Sequence, residues 1–299
     1  RHLVLGSVAL WLFALPLYAE DWPQWRGPTR HGLWTETGIV DRLPDDGLQV
    51  SWRVPIRAGF AGPVVADGRV FVLDYQENLG SRTMDGAERL VCLDEETGGV
   101  LWTSEWPATY RNIHVTFATG PRATPNVDGD RVYVVGAAGM VLCLDTETGA
   151  VMWQVDTVEE YGATVPVFGV STSPLVDDDR LIVLVGGSPD GLVMAFDKRN
   201  GNERWRALPL VSEAGYSAPL IYEAGGVRQL IVWHPDGVSS LDPVSGETYW
   251  QHEWTLAGGM TVATPVVSGP YLMASHFFRG ALMLRLDQDR PAARELWRG

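Results

Sequence analysis

The chain has two cysteines, and both stand at the start of nearly the same phrase. CLDEETGGVLW covers residues 92–102, and CLDTETGAVMW covers residues 143–153. Cysteine thiolates are nucleophiles and metal ligands, and two thiols can also form a redox pair. A disulfide, however, requires Cα atoms within about 7 Å of each other. Whether Cys92 and Cys143 do chemistry therefore depends on the elements that carry the two phrases.

Other residues that could do chemistry do not fall into known catalytic spacings. His114, His234 and His276 are far apart in the chain, and neither H-x-x-H nor H-x-H occurs, so a metal site is not predicted. The stretch GVSTS at 169–173 is not a G-x-S-x-G nucleophile elbow. No Walker-type or G-x-G-x-x-G phosphate loop follows a predicted strand. We therefore predict no catalytic residue and no metal ligand.

The two cysteine phrases belong to a longer internal repeat. Related phrases are AFDKRNGNERW (195–205), SLDPVSGETYW (240–250) and a degraded RLDQDRPAARELW (285–297). A second phrase keeps step with the first: GPVVADGRVFVL, TPNVDGDRVYVV, SPLVDDDRLIVL, APLIYEAGGVRQLIV and TPVVSGPYLMA, starting at residues 62, 124, 173, 218 and 264. Two phrases that stay in register five times indicate a repeat architecture.

Each repeat predicts four antiparallel strands, which we call A to D. The proline-led apolar run is strand A, and an Asp-Gly type turn returns the chain into strand B. A glycine-containing connection leads to strand C, and the Thr-Gly or equivalent turn leads to strand D, which ends in tryptophan. Four short strands in each unit of about 45–50 residues are typical of a β-propeller blade. The predicted fold is an all-β propeller with five complete blades.

The phrase small-x-Asp-x-x-Thr-Gly-x-x-x-Trp resembles the tryptophan-docking motif of the pyrroloquinoline-quinone (PQQ) type propeller repeat, over residues 49–297. That repeat is found in quinoprotein alcohol dehydrogenases and in the propeller lipoprotein of the outer-membrane β-barrel assembly machinery. DWPQWRGPTRHG (21–32) and GPRATP (120–125) also resemble exported bacterial PQQ-binding-like propeller proteins. The resemblance implies a ring of seven or eight blades, and it is specific for the repeat rather than for an activity.

The chain divides into three predicted parts. Residues 1–19 have the basic start, short apolar run and small final residue of a signal peptide, with a short membrane anchor as the alternative. Residues 20–48 predict an irregular strap anchored by Trp22, Trp25 and Trp34. Residues 49–299 form the propeller, with blades at about 57–106, 115–156, 168–208, 215–254 and 260–299. The segment 50–56 predicts a lone closing strand, so two or three C-terminal blades are expected to be missing from this chain.

The repeat assigns structural roles to most residues of the opening phrase. Cys92 and Cys143 occupy a position that is otherwise small, where a free cysteine behaves as a buried hydrophobe. The aspartate two residues later is expected to cap its turn. The docking tryptophans are predicted at one position of each repeat and once before it: Trp52, Trp102, Trp153, Trp205, Trp250 and Trp297. The resemblance also implies an adjacent cysteine pair in a quinoprotein dehydrogenase, and this chain has no Cys-Cys.

Topology separates two faces of the predicted propeller. The A–B and C–D turns share one face, called the turn face here, and its many aspartates and glutamates make it acidic. The B–C and D–A connections share the other, called the loop-rich face, and function usually resides in such loops. Candidate ligand-binding residues on this face are Arg122, His114, Phe117, Arg111, His234, His276 and Arg279. Arg122 could hold a carboxylate, a phosphate or a quinone oxygen, or could brace neighbouring loop carbonyls.

The composition narrows the function further. The net charge is −14 and the pI is near 4.8, which disfavours nucleic acid as a partner. We predict a periplasmic or secreted, non-catalytic scaffold that binds a protein, peptide or small molecule, with no membrane span after signal cleavage. The alternative is an oxidoreductase of the alcohol or sugar dehydrogenase type that uses PQQ with calcium. The motifs present support no cofactor, and they do not exclude PQQ.

Overall fold

The computed structural model describes residues 20–38, 40–115, 119–209, 213–256 and 259–299. It is an all-β structure with five four-stranded antiparallel sheets, which confirms the five predicted blades. Phe117 and the predicted signal peptide lie outside the described residues. Among the described residues, no helix has the length and apolar character that a membrane crossing requires.

Each blade consists of consecutive strands in the order A, B, C, D. Blade 1 contains β1 (Val64–Ala66), β2 (Arg69–Glu77), β3 (Asp85–Asp94) and β4 (Val100–Thr109). Blade 2 contains β5 (Asn126–Asp128), β6 (Arg131–Val135), β7 (Met140–Asp145) and β8 (Val151–Asp156), and is followed by the short helix α1 (Thr157–Tyr161). Blade 3 contains β9 (Leu175–Asp177), β10 (Arg180–Gly187), β11 (Gly191–Asp197) and β12 (Glu203–Ala207). Blade 4 contains β13 (Leu220–Ala224), β14 (Val227–His234), β15 (Gly237–Leu241) and β16 (Thr248–Glu253). Blade 5 contains β17 (Val266–Ser268), β18 (Tyr271–His276), β19 (Gly280–Leu286) and β20 (Ala293–Arg298).

Local turn chemistry fixes the register of each blade. Asp67 and Gly68 both have positive φ, at 49° and 72°, as a two-residue hairpin turn of type I′ requires. In the C–D turn, Asp94 Oδ1 accepts hydrogen bonds from the backbone N of Thr97 at 2.8 Å and from its hydroxyl at 2.6 Å. Asp145 and Thr148 repeat this arrangement. The repeated aspartates therefore cap turns, as the sequence predicts.

Four tryptophan side chains dock on the C–D turns of blades 1 to 4. Their indole Nε1 atoms donate to backbone carbonyls: Trp52 to Glu95 at 2.8 Å, Trp102 to Thr146 at 3.1 Å, Trp153 to Lys198 at 3.1 Å and Trp205 to Pro243 at 3.3 Å. Each ring lies against a glycine of that turn, where a Cβ atom would come within 2.5–2.7 Å of the ring: Gly98, Gly149, Gly201 and Gly246. These contacts are equivalent from blade to blade.

Trp250 departs from this pattern. The corresponding phrase of blade 5, residues 285–297, has no glycine, so the flat seat for an indole ring is lost. Trp250 Nε1 donates instead to Gln229 Oε1 of its own blade, at 2.8 Å. Trp297, at the same repeat position in blade 5, is 46% exposed.

The hydrophobic core lies between blades and not within them, because each sheet has two faces to cover. Buried clusters join blades 1 and 2, blades 2 and 3, blades 3 and 4, and blades 4 and 5. On blade 5, the side chains of Val266, Tyr271 and Met273 are exposed. One face of blade 5 is therefore open, and in the described part of the chain residues 50–56 form no ladder with any strand.

The strap runs along the innermost strands and fills part of the central channel. Trp22 exchanges backbone hydrogen bonds with Val65 at 2.9 and 3.1 Å. The buried Arg30 donates to the carbonyls of Ser173, Pro174 and Pro219, at 2.8–3.2 Å. Burial, with a smaller contribution from Arg26, lowers the pKa of Arg30 to about 9. The Arg30 guanidinium is thus hydrogen-bonded to the residues that directly precede two inner strands, β9 and β13.

Trp34 is 62% exposed and donates to Glu36, so the prediction that it anchors the strap is wrong. The acidic run 177–179, on the predicted acidic turn face, is partly buried and paired. Asp177 is buried and forms ion pairs with Arg180 and Arg228, so arginines from two blades neutralise this turn.

Candidate functional site

A cavity of about 430 Å³ lies where the inner strands begin, on the loop-rich face. Its lining follows the repeat. Counted back from the proline that leads strand A, the third residue of all five blades lines it: Phe60, Arg122, Ser171, Tyr216 and Val262. The residue directly before the proline contributes in three blades: Ser173, Ala218 and Thr264. Trp25, Phe168 and Met260 complete the lining. The cavity is the mouth of the central channel, closed in part by Trp25 of the strap.

Backbone-to-hydroxyl hydrogen bonds hold this ring of residues together. Thr124 Oγ1 accepts from Gly62 N at 3.2 Å, and Ser173 Oγ accepts from Thr124 N at 2.9 Å. Thr264 Oγ1 accepts from the Trp25 indole at 3.0 Å. Because each bond joins a residue to the next blade or to the strap, these bonds connect the loop segments that form the cavity wall.

The cavity wall is mainly apolar, and four of its residues are aromatic: Trp25, Phe60, Phe168 and Tyr216. The Arg122 guanidinium lies over the Phe60 ring, 5.6 Å from its centroid, which is a cation–π distance. The ring centroids of Phe168 and Tyr216 are 6.0 Å apart, and His114 meets Phe168 edge-on at 5.4 Å. An apolar or aromatic ligand group would find complementary surface here.

Tyr216 is held in place by hydrogen bonds at its hydroxyl. It donates to Glu213 Oε2 at 3.1 Å and accepts from Phe168 N at 3.4 Å. Burial raises the pKa of Tyr216, with a further contribution from the Glu213 charge, while Arg122 acts in the opposite direction. Tyr216 therefore stays neutral at physiological pH and serves the cavity as an aromatic wall.

The structure gathers only some of the predicted ligand-binding residues at the cavity. Arg122 lines it, and His114 packs behind Phe168. Arg111 and Arg279 are exposed elsewhere on the loop-rich face. Of the predicted ligand-binding residues that the structure describes, Arg122 lines the cavity directly.

His234 and His276 are buried and have local partners. His234 Nε2 is 2.8 Å from Ser239 Oγ, and burial lowers the pKa of His234 to about 4. His276 Nδ1 accepts from the backbone N of Phe278 and of Arg279, both at 3.0 Å, so it fixes the β18–β19 turn. Burial lowers the pKa of His276, with a smaller contribution from Arg279. Both imidazoles are therefore neutral at pH 7.

The cysteines lie away from this cavity, in the cores between blades. Cys92 and Cys143 are free thiols with no exposed surface. Burial raises the pKa of each to about 11. Because the thiolate is the reactive form, neither residue is reactive at neutral pH. Within the described residues, no group of three or more His, Cys, Asp or Glu side chains could hold a metal ion.

The sequence analysis missed most of the cavity lining. The predicted ligand-binding residues do not include Phe60, Phe168, Ser171, Ser173, Tyr216 or Thr264. These residues are of different amino-acid types, so composition does not reveal them. What they share is their distance before the proline of strand A, and this distance could have identified them, because equivalent positions of different blades converge on the propeller axis.

Comparison with known proteins identifies the family. A family model described as outer membrane protein assembly factor BamB (PQQ_2) matches residues 86–298. The chain belongs to this PQQ_2 family. It is 27% identical over 269 residues to the outer membrane protein assembly factor BamB of Burkholderia pseudomallei, covering 85% of this chain and 62% of that protein. It is 24% identical over 187 residues to the quinohemoprotein alcohol dehydrogenase ADH IIB of Pseudomonas putida, covering 62% of this chain and 24% of that protein.

A solved structure of this PQQ_2-like architecture supports the fold. A europium-containing methanol dehydrogenase superposes with a TM-score of 0.59 at 13% identity, covering 83% of this chain and 53% of that chain. This confirms the predicted PQQ-type propeller. The PQQ_2 chain spans less than two thirds of the length of these relatives, and the solved structure informs on fold alone.

The described cavity does not fit PQQ with calcium. PQQ carries three carboxylates, whereas Arg122 is the single charged residue among the described lining residues. Calcium takes six to eight oxygen ligands, usually including carboxylates, and the described lining contains no carboxylate or amide side chain. One guanidinium and a mostly apolar wall suit a smaller and less charged group.

Proposed function

We propose that this PQQ_2 protein is an exported, non-catalytic scaffold that binds a protein partner through its loop-rich face. The observation that carries the proposal is the cavity at the channel mouth, which five blades build from equivalent positions and which presents mainly apolar surface. A cavity wall that is mainly apolar and includes four aromatic side chains is suited to binding a ligand. The described lining has no nucleophile–base pair for covalent catalysis.

The surface around the cavity supports a protein partner. Phe277 and Phe278 lie at the β18–β19 turn with 79% and 75% of their surfaces exposed, and their rings meet at 4.7 Å. Phe60 and Val262 at the cavity, and Val167 in the D–A connection of blades 2 and 3, are exposed as well. Exposed aromatic and aliphatic groups that gather on one face favour protein binding.

The relatives support the same class of function. The family description and the Burkholderia relative carry the name outer membrane protein assembly factor, so we propose an assembly role for this chain too. The predicted signal peptide at 1–19 supports a periplasmic or secreted location. PQQ-dependent dehydrogenation is less supported, because the cavity lining does not match the charge of the quinone.

We also propose that four of the tryptophans are docking residues that hold neighbouring blades together. Trp102, Trp153 and Trp205 each combine a hydrogen bond to the next C–D turn with a glycine under the ring. Trp52 makes the same contacts on blade 1. In this role they keep blades 1 to 4, and the parts of the cavity wall that these blades carry, in register and do not contact a ligand.

Site-specific photo-cross-linking tests the binding face. Replacing Phe277 with p-benzoyl-phenylalanine in the full-length protein, in its own cell envelope, is expected to yield a discrete protein adduct. The matched control carries the same photo-reactive residue at Val244, which is exposed in a C–D turn on the opposite face. Adduct formation from Val244 alone, or from neither position, would contradict the proposal.

A further inference from the structure

Two of the hydroxyls that line the central cavity, those of Ser173 and Thr264, can donate a hydrogen bond to a ligand, whereas those of Ser171 and Tyr216 already donate to Gly169 O and Glu213 Oε2. Ser173 Oγ already accepts a hydrogen bond from Thr124 N, and Thr264 Oγ1 accepts one from the Trp25 indole. A hydroxyl has one donor and two acceptor sites. Within the described part of the chain neither hydroxyl donates, so both keep a hydrogen for a ligand.

The single charge in the described lining is also a donor. Arg122 carries a guanidinium, and the planar fork of this group has a geometry that matches a carboxylate. Its Cζ lies 5.6 Å from the centroid of the Phe60 ring, and this cation–π contact favours that position of the guanidinium. Glu213, the carboxylate behind the wall, accepts the Tyr216 hydroxyl and does not itself line the cavity.

The donors and the aromatic rings come from all five blades and alternate around the channel. Arg122 comes from blade 2, Ser173 from blade 3 and Thr264 from blade 5. The rings of Phe60, Phe168 and Tyr216 lie among them. A ligand that satisfies this arrangement has an acceptor group at one end and a flat apolar body.

We propose that the central cavity binds an aromatic monocarboxylate, with the carboxylate on Arg122 and the ring among Phe60, Phe168 and Tyr216. A cavity of about 430 Å³ lies within the range of small-molecule pockets and holds one such group. The carboxylate belongs either to a free aromatic acid or to the aromatic C-terminal residue of a polypeptide. The proposal goes beyond partner binding at the loop rim, because it concerns the ligand of the cavity.

Calorimetric titration of the full chain tests this proposal. The probes are indole-3-propionate, its neutral amide, and the peptide Gly-Gly-Gly-Phe with a free or an amidated C-terminus. We expect both free carboxylates, or one of them, to bind with one site per chain, and each amide to bind at least about tenfold more weakly. The tighter of the two carboxylates identifies the source.

Variants link the binding to the cavity. Arg122→Met is expected to weaken carboxylate binding at least about tenfold, and Arg122→Lys to retain part of it. Arg199→Met, an exposed arginine of a C–D turn on the other face, is the matched control and should bind as the parent does. Equal unfolding midpoints of the variants show that the fold is kept.

Equal affinity for acid and amide, unchanged binding by Arg122→Met, or no binding of any probe at millimolar concentration would overturn the cavity proposal. Cross-linking from Phe277 does not depend on the cavity, since Phe277 is at the β18–β19 turn and does not line it. The two proposals therefore fail separately.

Discussion

Replacing Trp153 with alanine is expected to lower the free energy of unfolding by about 3–5 kcal/mol, the range for a large aromatic removed from a core. Trp153 is 8% exposed and packs in the cluster shared by blades 2 and 3. Its loss leaves a void against Gly201 and removes the hydrogen bond to Lys198 O. Urea unfolding, followed by circular dichroism, measures the change.

Trp297 provides the matched control for this substitution. It occupies the same repeat position in blade 5, pairs across the sheet with Met283, and is 46% exposed. Trp297→Ala is expected to cost less than about 1.5 kcal/mol, because nearly half of its surface already faces water. Similar losses for the two variants would show that docking between blades contributes little to stability.

Gly149→Ala is expected to cost about 2–5 kcal/mol through two separate effects. The φ of Gly149 is +72°, and an alanine Cβ would lie 2.5 Å from the Trp102 ring. A left-handed conformation costs an L-residue about 1–2 kcal/mol, and overpacking a filled site costs about 1–3 kcal/mol more. Since Trp102 also packs against Phe71, with 5.9 Å between ring centroids, and donates to Thr146 O, the ring has little room to move away.

Gly129→Ala separates the two effects. Gly129 has a φ of +59°, and a Cβ atom there would meet nothing within 4 Å. It should therefore show the conformational cost alone, about 1–2 kcal/mol, in the same urea experiment. Equal losses at Gly129 and Gly149 would mean that the Trp102 ring yields freely, and that the indole is not tightly seated on the turn.

The sequence predicts the blades well because the repeat is encoded locally. Asp67 and Gly68 specify a tight hairpin, and Asp94 with Thr97 specifies a capped turn; neither depends on distant residues. The same reasoning fails for Trp250, where the missing glycine of blade 5 sends the indole to Gln229. What a side chain contacts across an interface depends on the residues of the neighbouring blade, and these residues lie outside its own motif.

The candidate site was only partly predictable for a related reason. Arg122 could be placed at the channel mouth from its position before strand A, and it does line the cavity. His234 and His276 belong to the predicted face, but burial and the bonds to Ser239 and to the β18–β19 turn make them local structural groups. Whether a histidine on this face is buried depends on how the neighbouring loops cover it, and the spacing of residues in the sequence does not show this.

The strap shows how a non-repeating segment can complete a repeating scaffold. Arg30 binds carbonyls at the start of two inner strands, and Trp25 lines the cavity. Inner strands have an unpaired edge, and the backbone bonds of Trp22 to Val65 cover part of it. The segment that looks least regular in sequence thus helps to define the proposed binding site.

Titration of the full-length protein with PQQ and calcium tests most directly whether this propeller is a non-catalytic scaffold or an enzyme that uses the quinone. With a dye-linked alcohol oxidation assay alongside, the expected result is no stoichiometric quinone binding and no dye reduction, because one arginine and an apolar wall face the channel. One quinone bound per chain, with calcium-dependent turnover of an alcohol, would contradict the scaffold function.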